Sequence, residues 1–287
     1  MLKNYKKAKD IKQIRNCFPS LAYSDLTYLD NAASSQTVDS SIKAVSDYHY
    51  NYRANVHRGD FKTSTIASEK YDEARVEVAK LINAEPHEIA FTNGTTASLN
   101  MIADWTPLES TVILTEVEHH SNILPWMQQG RTKSNELLII VPSNDEGNVD
   151  VNAWYETVKD NPGSTCSFLT QSNFTGQELP WQQMIMIAKE HDCEVVIDAC
   201  QSIGHRPIDV KKNDIDWMAF SGHKMFASTG VGVLFHRGGF QNMESRIGGG
   251  TVSHVDYETG YVLNNDVSQV EAGTPNVAGV HPASGIP

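Results

Sequence analysis

Short apolar, β-branched runs recur along this chain between stretches of helical periodicity. That alternation points to a mostly parallel sheet covered by helices on both faces. The runs are Glu88–Thr92, Thr111–Thr115, Glu136–Val141, Cys166–Thr170, Glu194–Asp198, Trp217–Phe220 and Gly232–Phe235. Helices are expected over Thr95–Trp105, Asn122–Gln129, Val151–Lys159 and Trp181–His191. A longer helix should precede the first strand, because Tyr71, Ala74, Val78 and Leu81 share one helical face and the Asn83–Pro86 segment ends it. The segment before Tyr28 is expected to be helical or irregular and to lie outside the sheet.

The 287 residues are enough for one or two domains with a substantial core. Acidic residues exceed basic ones by 35 to 23, a net charge of −12, which argues against a nucleic-acid partner. No apolar run approaches the roughly 20 residues that span a bilayer, so no membrane partner is expected. The basic start is not followed by an apolar stretch, which argues against a secretory signal. Cys17, Cys166, Cys193 and Cys200 lack metal-site spacing and read as reduced thiols of a cytoplasmic protein.

Ligands of such sheets bind beyond the carboxyl ends of the strands. Each of those ends is followed here by polar, chemically capable residues. Gly94-Thr95-Thr96 opens a helix after a strand; it is either a plain N-cap or a phosphate site made of free N–H groups and hydroxyls. Asp198 ends an apolar strand, where it caps the next helix, meets a buried arginine or pairs with a protonated ring nitrogen. Lys224, in Phe220-Ser221-Gly222-His223-Lys224, is either a surface lysine or an amine that attacks an aldehyde, with Ser221 and His223 as phosphate donors beside it. His119 and His120 lack the further ligands of a metal centre, and one imidazole stacked on a planar ligand serves as well; no metal is expected. Gly248-Gly249-Gly250 lacks the strand–turn–helix context of a dinucleotide loop. A lysine for an aldehyde, an acid for a ring nitrogen, phosphate donors and an imidazole for the ring face together describe a pyridoxal phosphate pocket.

At this point the chain resembles the class V aminotransferase-like enzymes that use pyridoxal phosphate, and most closely the group II cysteine desulfurases. The matching stretches are Tyr28-Leu-Asp-Asn-Ala-Ala33, Ala54-Asn-Val-His-Arg-Gly59, Phe91-Thr-Asn-Gly-Thr-Thr96, Glu118-His-His-Ser-Asn-Ile123 with Pro125-Trp126, Val196-Ile-Asp-Ala199, Asp216-Trp-Met-Ala-Phe-Ser-Gly-His-Lys224 and Glu271-Ala-Gly-Thr-Pro-Asn276. The resemblance implies the type I pyridoxal phosphate transferase fold, with about seven strands, and a homodimer. It implies that Lys224 binds the cofactor covalently and that Asp198 pairs with the ring nitrogen. Gln201 would donate to the ring's phenolic oxygen, and His119 would stack on the ring and take part in catalysis. Thr95, Thr96, Ser221 and His223 would hold the phosphate. Thr274 would reach the phosphate in the partner subunit's site. Asn173 would lie near the substrate carboxylate, and His57 and Arg58 would line the entrance. In the family, L-cysteine gives up its sulfur to a protein cysteine as a persulfide, leaving alanine, and the sulfur passes to an acceptor protein for iron–sulfur cluster or other delivery.

Two departures stand out. Family members continue after Gly273-Thr-Pro-Asn276 into a small C-terminal domain, and His281–Pro287 does not read as their next helix. The expectation is therefore an N-terminal segment (1–27), a pyridoxal phosphate-binding large domain (28–280) and a divergent tail (281–287), with the small domain missing and activity weak. That domain normally supplies the persulfide-forming cysteine and an arginine for the substrate carboxylate, and none of the four cysteines matches. The second departure, Gln171-Ser-Asn-Phe-Thr-Gly176, resembles the desulfurase-like domain of molybdenum cofactor sulfurases. The alternatives are another class V enzyme (selenocysteine lyase, epimerase-like or kynureninase-like) and a non-catalytic dimerising remnant.

Overall fold

The computed structural model describes residues 10–241 and 243–280. The expected tail 281–287 and the first nine residues of the N-terminal segment lie outside the described residues. Residues 10–27 form two short helices, α1 (Ile11–Asn16) and α2 (Pro19–Ala22), off the sheet. Helices α3 (Asp39–Asp47) and α4 (Lys62–Ile82) follow, with a π-helical turn, Tyr48–Tyr52, continuing α3. Then come β1 (Ile89–Thr92), α5 (Thr95–Trp105), β2 (Val112–Thr115), α6 (Leu124–Gln128), β3 (Leu138–Val141), α7 (Val151–Asp160), β4 (Thr165–Leu169), α8 (Trp181–Glu190), β5 (Glu194–Asp198), β6 (Trp217–Ser221) and β7 (Gly232–His236). A hairpin of β8 (Val252–Asp256) and β9 (Gly260–Leu263) and a short α9 (Val277–Val280) complete the described chain.

Strands β1 to β7 make one sheet in the order β1-β7-β6-β5-β4-β2-β3. The pairs β2–β3, β2–β4, β4–β5 and β5–β6 are parallel, whereas β7 runs antiparallel to both neighbours. Side chains alternate between two cores, as the period of two requires. Ile89, Phe91, Ile113, Phe168, Val195, Ile197, Met218 and Phe220 pack with α4, α7 and α8. Ala90, Val112, Leu114, Val196, Trp217, Ala219 and Leu234 pack with α5 and α6. Each buried large side chain contributes on the order of 1.5–3 kcal/mol relative to exposure. Trp154 of α7, fully buried, also meets Phe168 edge-on at 5.1 Å and donates to the Met184 carbonyl at 3.1 Å.

The elements expected from sequence are present, with local differences. Asn83 ends α4 in the left-handed conformation at φ 59°, which asparagine tolerates. Ile82, not Leu81, completes the buried face: Ile82 is fully buried and Leu81 is exposed. Glu88 belongs to a 3-10 turn and donor–acceptor box with Glu85, so β1 starts one residue later. Glu136 takes φ 61° and delays β3 to Leu138. The expected helix 122–129 is split into a 3-10 turn, His120–Asn122, and α6, because Pro125 has no N–H to continue a helix begun upstream. The β8–β9 hairpin was not foreseen; its residues are mostly exposed and carry no buried alternation to read.

Candidate functional site

The carboxyl ends of β2, β4, β5 and β6 and the start of α5 surround a cavity of about 230 Å³. Register sets the walls: Leu169 of β4 pairs with Asp198 of β5, which pairs with Ala219 of β6. Strand β6 runs directly into a 3-10 turn, Gly222–Lys224, closed by Gly222 N donating to the Val231 carbonyl at 3.0 Å. Ser35 clamps that turn from the N-terminal side; its N and Oγ both donate to the His223 carbonyl, at 3.0 and 2.8 Å. Lys224, half-buried, lines the cavity.

Beside that turn stands the start of α5, whose N-cap Gly94, at φ 150°, has no side chain to cap it. The free Thr95 N–H instead donates to Ser221 Oγ at 2.8 Å, and the Thr95 and Ser221 hydroxyls meet at 2.7 Å. Thr95, Thr96, Ser221, His223 and Lys224 thus form a donor-rich end of the cavity at a helix N-terminus. The approach is close: a Cβ on Gly232 of β7 would lie 2.4 Å from Gly94 Cα.

Asp198 is 5% exposed. Its Oδ1 accepts from Cys200 N at 2.9 Å, and Oδ2 has no hydrogen-bond partner among the described residues. Burial pushes its pKa up to about 6, against the pull of the Cys200 N–H and the Lys224 charge. His119 stays neutral for a related reason: burial, then Lys224 and His120, lower its pKa. Its Nδ1 accepts from Ser121 N at 3.2 Å, so the neutral ring carries its proton on Nε2. His223 is also held below its usual value, by burial and then by Lys224. Gln201 lines the cavity and donates through Nε2 to the Ala32 carbonyl at 2.8 Å. Asn173 enters from the loop after β4, where Ser172 Oγ accepts from Phe174 N and Thr175 N at 3.2 Å each.

Of the residues singled out from sequence, Lys224, His119, Thr95, Thr96, Asp198, Gln201, Ser221, His223 and Asn173 come together here. His57, Arg58 and Thr274 do not line this cavity; they line a second one with Asn55, Gly250 and Asn264. There His57 Nε2 lies 3.3 Å from Asp72 Oδ1, and Arg58 donates to the Gly250 carbonyl at 3.2 Å. Sequence reasoning assigned no role to Ser121 or Gln171, which also line the first cavity. Both stand in the polar stretches after β2 and β4, so their position was a usable signal. Cys200 is the one thiol lining it; burial and then Asp198 raise its pKa.

The sequence profile of the aminotransferase class-V family matches residues 27–283. A probable cysteine desulfurase of Pyrococcus abyssi is 39% identical over 264 residues, which make up 89% of this chain and 64% of that protein. A cysteine desulfurase of Escherichia coli is 33% identical over 282 residues, 94% of this chain and 69% of that one. The apo structure of the cysteine desulfurase from Thermococcus onnurineus superposes with a TM-score of 0.87 at 36% identity, covering 96% of this chain and 70% of that chain. The chain thus spans about two thirds of the length of these relatives.

Proposed function

Since the chain belongs to the aminotransferase class-V family, we propose that it binds pyridoxal phosphate in the β2–β4–β5–β6 cavity and acts on L-cysteine, releasing alanine and passing sulfur to an acceptor. The observation that carries this reading is the convergence of Lys224, the buried Asp198 and a phosphate-type donor set in one cavity. The fit is chemical. A 95% buried carboxylate with one oxygen unpartnered among the described residues suits a protonated ring nitrogen, and hydroxyls that pair with each other at a helix N-terminus suit a phosphate. The naming of the relatives as cysteine desulfurases supports the substrate.

Bound there, pyridoxal phosphate supplies an electron sink for charge developing at the substrate α-carbon. Lys224 Nζ would be the covalent anchor and the base for the α-proton. Asp198 would keep a proton on the ring nitrogen. Thr95, Thr96, Ser221 and His223 would bind the phosphate. His119, a neutral imidazole in the cavity wall, would face the ring, and Gln201, steadied by Ala32, would donate to the phenolic oxygen. Asn173 would meet the substrate carboxylate. The reading includes a homodimer, in which Thr274 serves the other subunit's phosphate, and it has His57 and Arg58 line the entrance. It further places the protein in the cytoplasm, delivering sulfur for iron–sulfur clusters or other acceptors, with residues 28–280 as the cofactor-binding domain. Among the described residues no helix is long and apolar enough to cross a membrane.

The test is direct. Incubation with pyridoxal phosphate should give a yellow chain, and borohydride should fix the cofactor on Lys224 but not on a Lys224→Ala chain. With a thiol reductant present to release the transferred sulfur, alanine and sulfide should then form from cysteine. A colourless wild-type chain, or labelling that survives Lys224→Ala, would sink the reading.

A further inference from the structure

Glu118 has no role in the chemistry above, yet it is buried directly behind the wall that carries His119. Its Oε1 accepts from Thr115 Oγ1 at 2.5 Å and from Leu169 N at 3.1 Å. Its Oε2 accepts from Asn122 Nδ2 at 2.8 Å. Asn122 Oδ1 in turn accepts from Ser167 Oγ at 2.6 Å. One carboxyl therefore fastens the end of β2, the end of β4 and the 3-10 turn His120–Asn122 to one another. Among the described residues the His119 ring, by contrast, has hydrogen bonds only within its own turn, with Ser121 N and Ser121 Oγ. Where that ring stands relative to Asp198 and Lys224 depends on how the turn is attached to the sheet, and Glu118 shares that attachment with the Asn122–Ser167 bond.

We propose that Glu118 is a positioning residue for His119, holding the imidazole at the cavity wall with Nδ1 accepting from Ser121 and the proton kept on Nε2. The inference rests on the reading above only in taking His119 to face the cofactor. A carboxyl is specifically suited to the place. Both of its oxygens accept: Oε1 from Thr115 Oγ1 and from Leu169 N–H, and Oε2 from Asn122 Nδ2. An amide of the same shape fails in either orientation. Its NH₂ meets the Leu169 N–H on one side or the Asn122 NH₂ on the other, and turning Asn122 over would set its own NH₂ against Trp126 Nε1.

The experiment uses the full chain with ¹⁵N-labelled histidine, first without cofactor. Wild type should show His119 as a single Nε2–H tautomer. A Glu118→Gln chain that retains its circular dichroism should show loss of that single-tautomer signal, and Thr115→Val should shift it in the same direction. Loaded with pyridoxal phosphate, both variants should show a displaced absorbance band relative to wild type. Wild-type His119 signals in a folded Glu118→Gln chain would overturn the proposal; where that chain does not fold, wild-type signals in Thr115→Val would do so. Failure of wild type to take up pyridoxal phosphate would count against the cofactor reading alone, since the His119 signals are read without it.

Discussion

Asp198 and Glu118 carry their carboxyls above the ordinary range for one reason, loss of water, but Asp198 faces the cavity and Glu118 faces the sheet ends. Asp198 should therefore respond to ligand and Glu118 to pH. Replacing Asp198 with Asn removes a charge-assisted hydrogen bond, worth about 1.5–3 kcal/mol, so pyridoxal phosphate affinity should fall roughly 10- to 100-fold by equilibrium dialysis. Unchanged affinity would show that no protonated ring nitrogen meets Asp198. For Glu118, the folded chain keeps a proton up to about pH 8 that the unfolded chain releases near its ordinary value of 4.5. The folded state binds the extra proton, so stability is lost as pH rises through that window. Between pH 6 and 8, wild type should lose about 2 kcal/mol relative to Glu118→Gln, read from urea unfolding at both pH values. A pH-independent difference would mean that Glu118 is already ionised at pH 6. Asp198 was legible in the sequence because a carboxylate after Val195-Val196-Ile197 demands a partner. Glu118 was not, because its donors are Leu169 N, Thr115 and Asn122, and backbone pairing across β2 and β4 has no trace in local sequence.

Strand and helix termini decide whether those residues meet, and the contact of β7 with the start of α5 is the tightest of them. Gly232 faces Gly94 so closely that an added Cβ would lie 2.4–2.6 Å from three Gly94 backbone atoms, which a side-chain rotation does not relieve. Gly232→Ala should cost about 1–3 kcal/mol and push the Thr95 N–H away from Ser221, weakening phosphate binding as well as stability. Gly248, with open space around its Cβ position, is the control and should stay within about 0.5 kcal/mol of wild type when changed to Ala. Equal effects at the two positions would contradict the close approach. This pairing also shows what was readable. The seven strands of the main sheet announced themselves because strands covered by helices on both faces are apolar throughout, as in Val195–Ile197 and Met218–Phe220. Their order was not readable, nor was the antiparallel direction of β7, because neither is encoded by periodicity within a strand. The β8–β9 hairpin escaped for the opposite reason: Val255, Tyr257, Tyr261 and Val262 are exposed, so no alternation marks a buried face.

At the scale of the molecule, two cavities divide the residues that the family motifs bring together. Lys224, Asp198, Thr95, Thr96, Ser221 and His223 share one; His57, Arg58 and Thr274 share the other. The segment that carries Thr274 is held in place by Glu271, which pairs with Arg75 at 2.7 Å and accepts from Phe91 N and Tyr71 Oη at 2.6 and 2.9 Å, a buried network tying Glu271–Asn276 to α4 and β1. The first cavity, among the described residues, is lined by no arginine, and its one thiol, Cys200, is kept protonated by burial and Asp198. Cysteine turnover by this chain should therefore be slow relative to cofactor binding, and an added low-molecular-weight thiol should raise it by accepting the sulfur, because a scarce thiolate limits the transfer. Thiol-independent turnover would make Cys200 or another resident cysteine the acceptor. The separation of the two cavities also gives the dimer a test. If Thr274 serves the partner's phosphate, Lys224→Ala and Thr274→Ala chains are each impaired alone, yet a mixed dimer has one complete site: Lys224 from one chain and Thr274 from the other. Random pairing of equal amounts puts about a quarter of all sites in that state, since half the dimers are mixed and each holds one complete site of two. Mixing the two after co-refolding should restore high-affinity cofactor uptake to about that fraction. Restoration of none would place Thr274 in the service of its own chain, or of no phosphate at all.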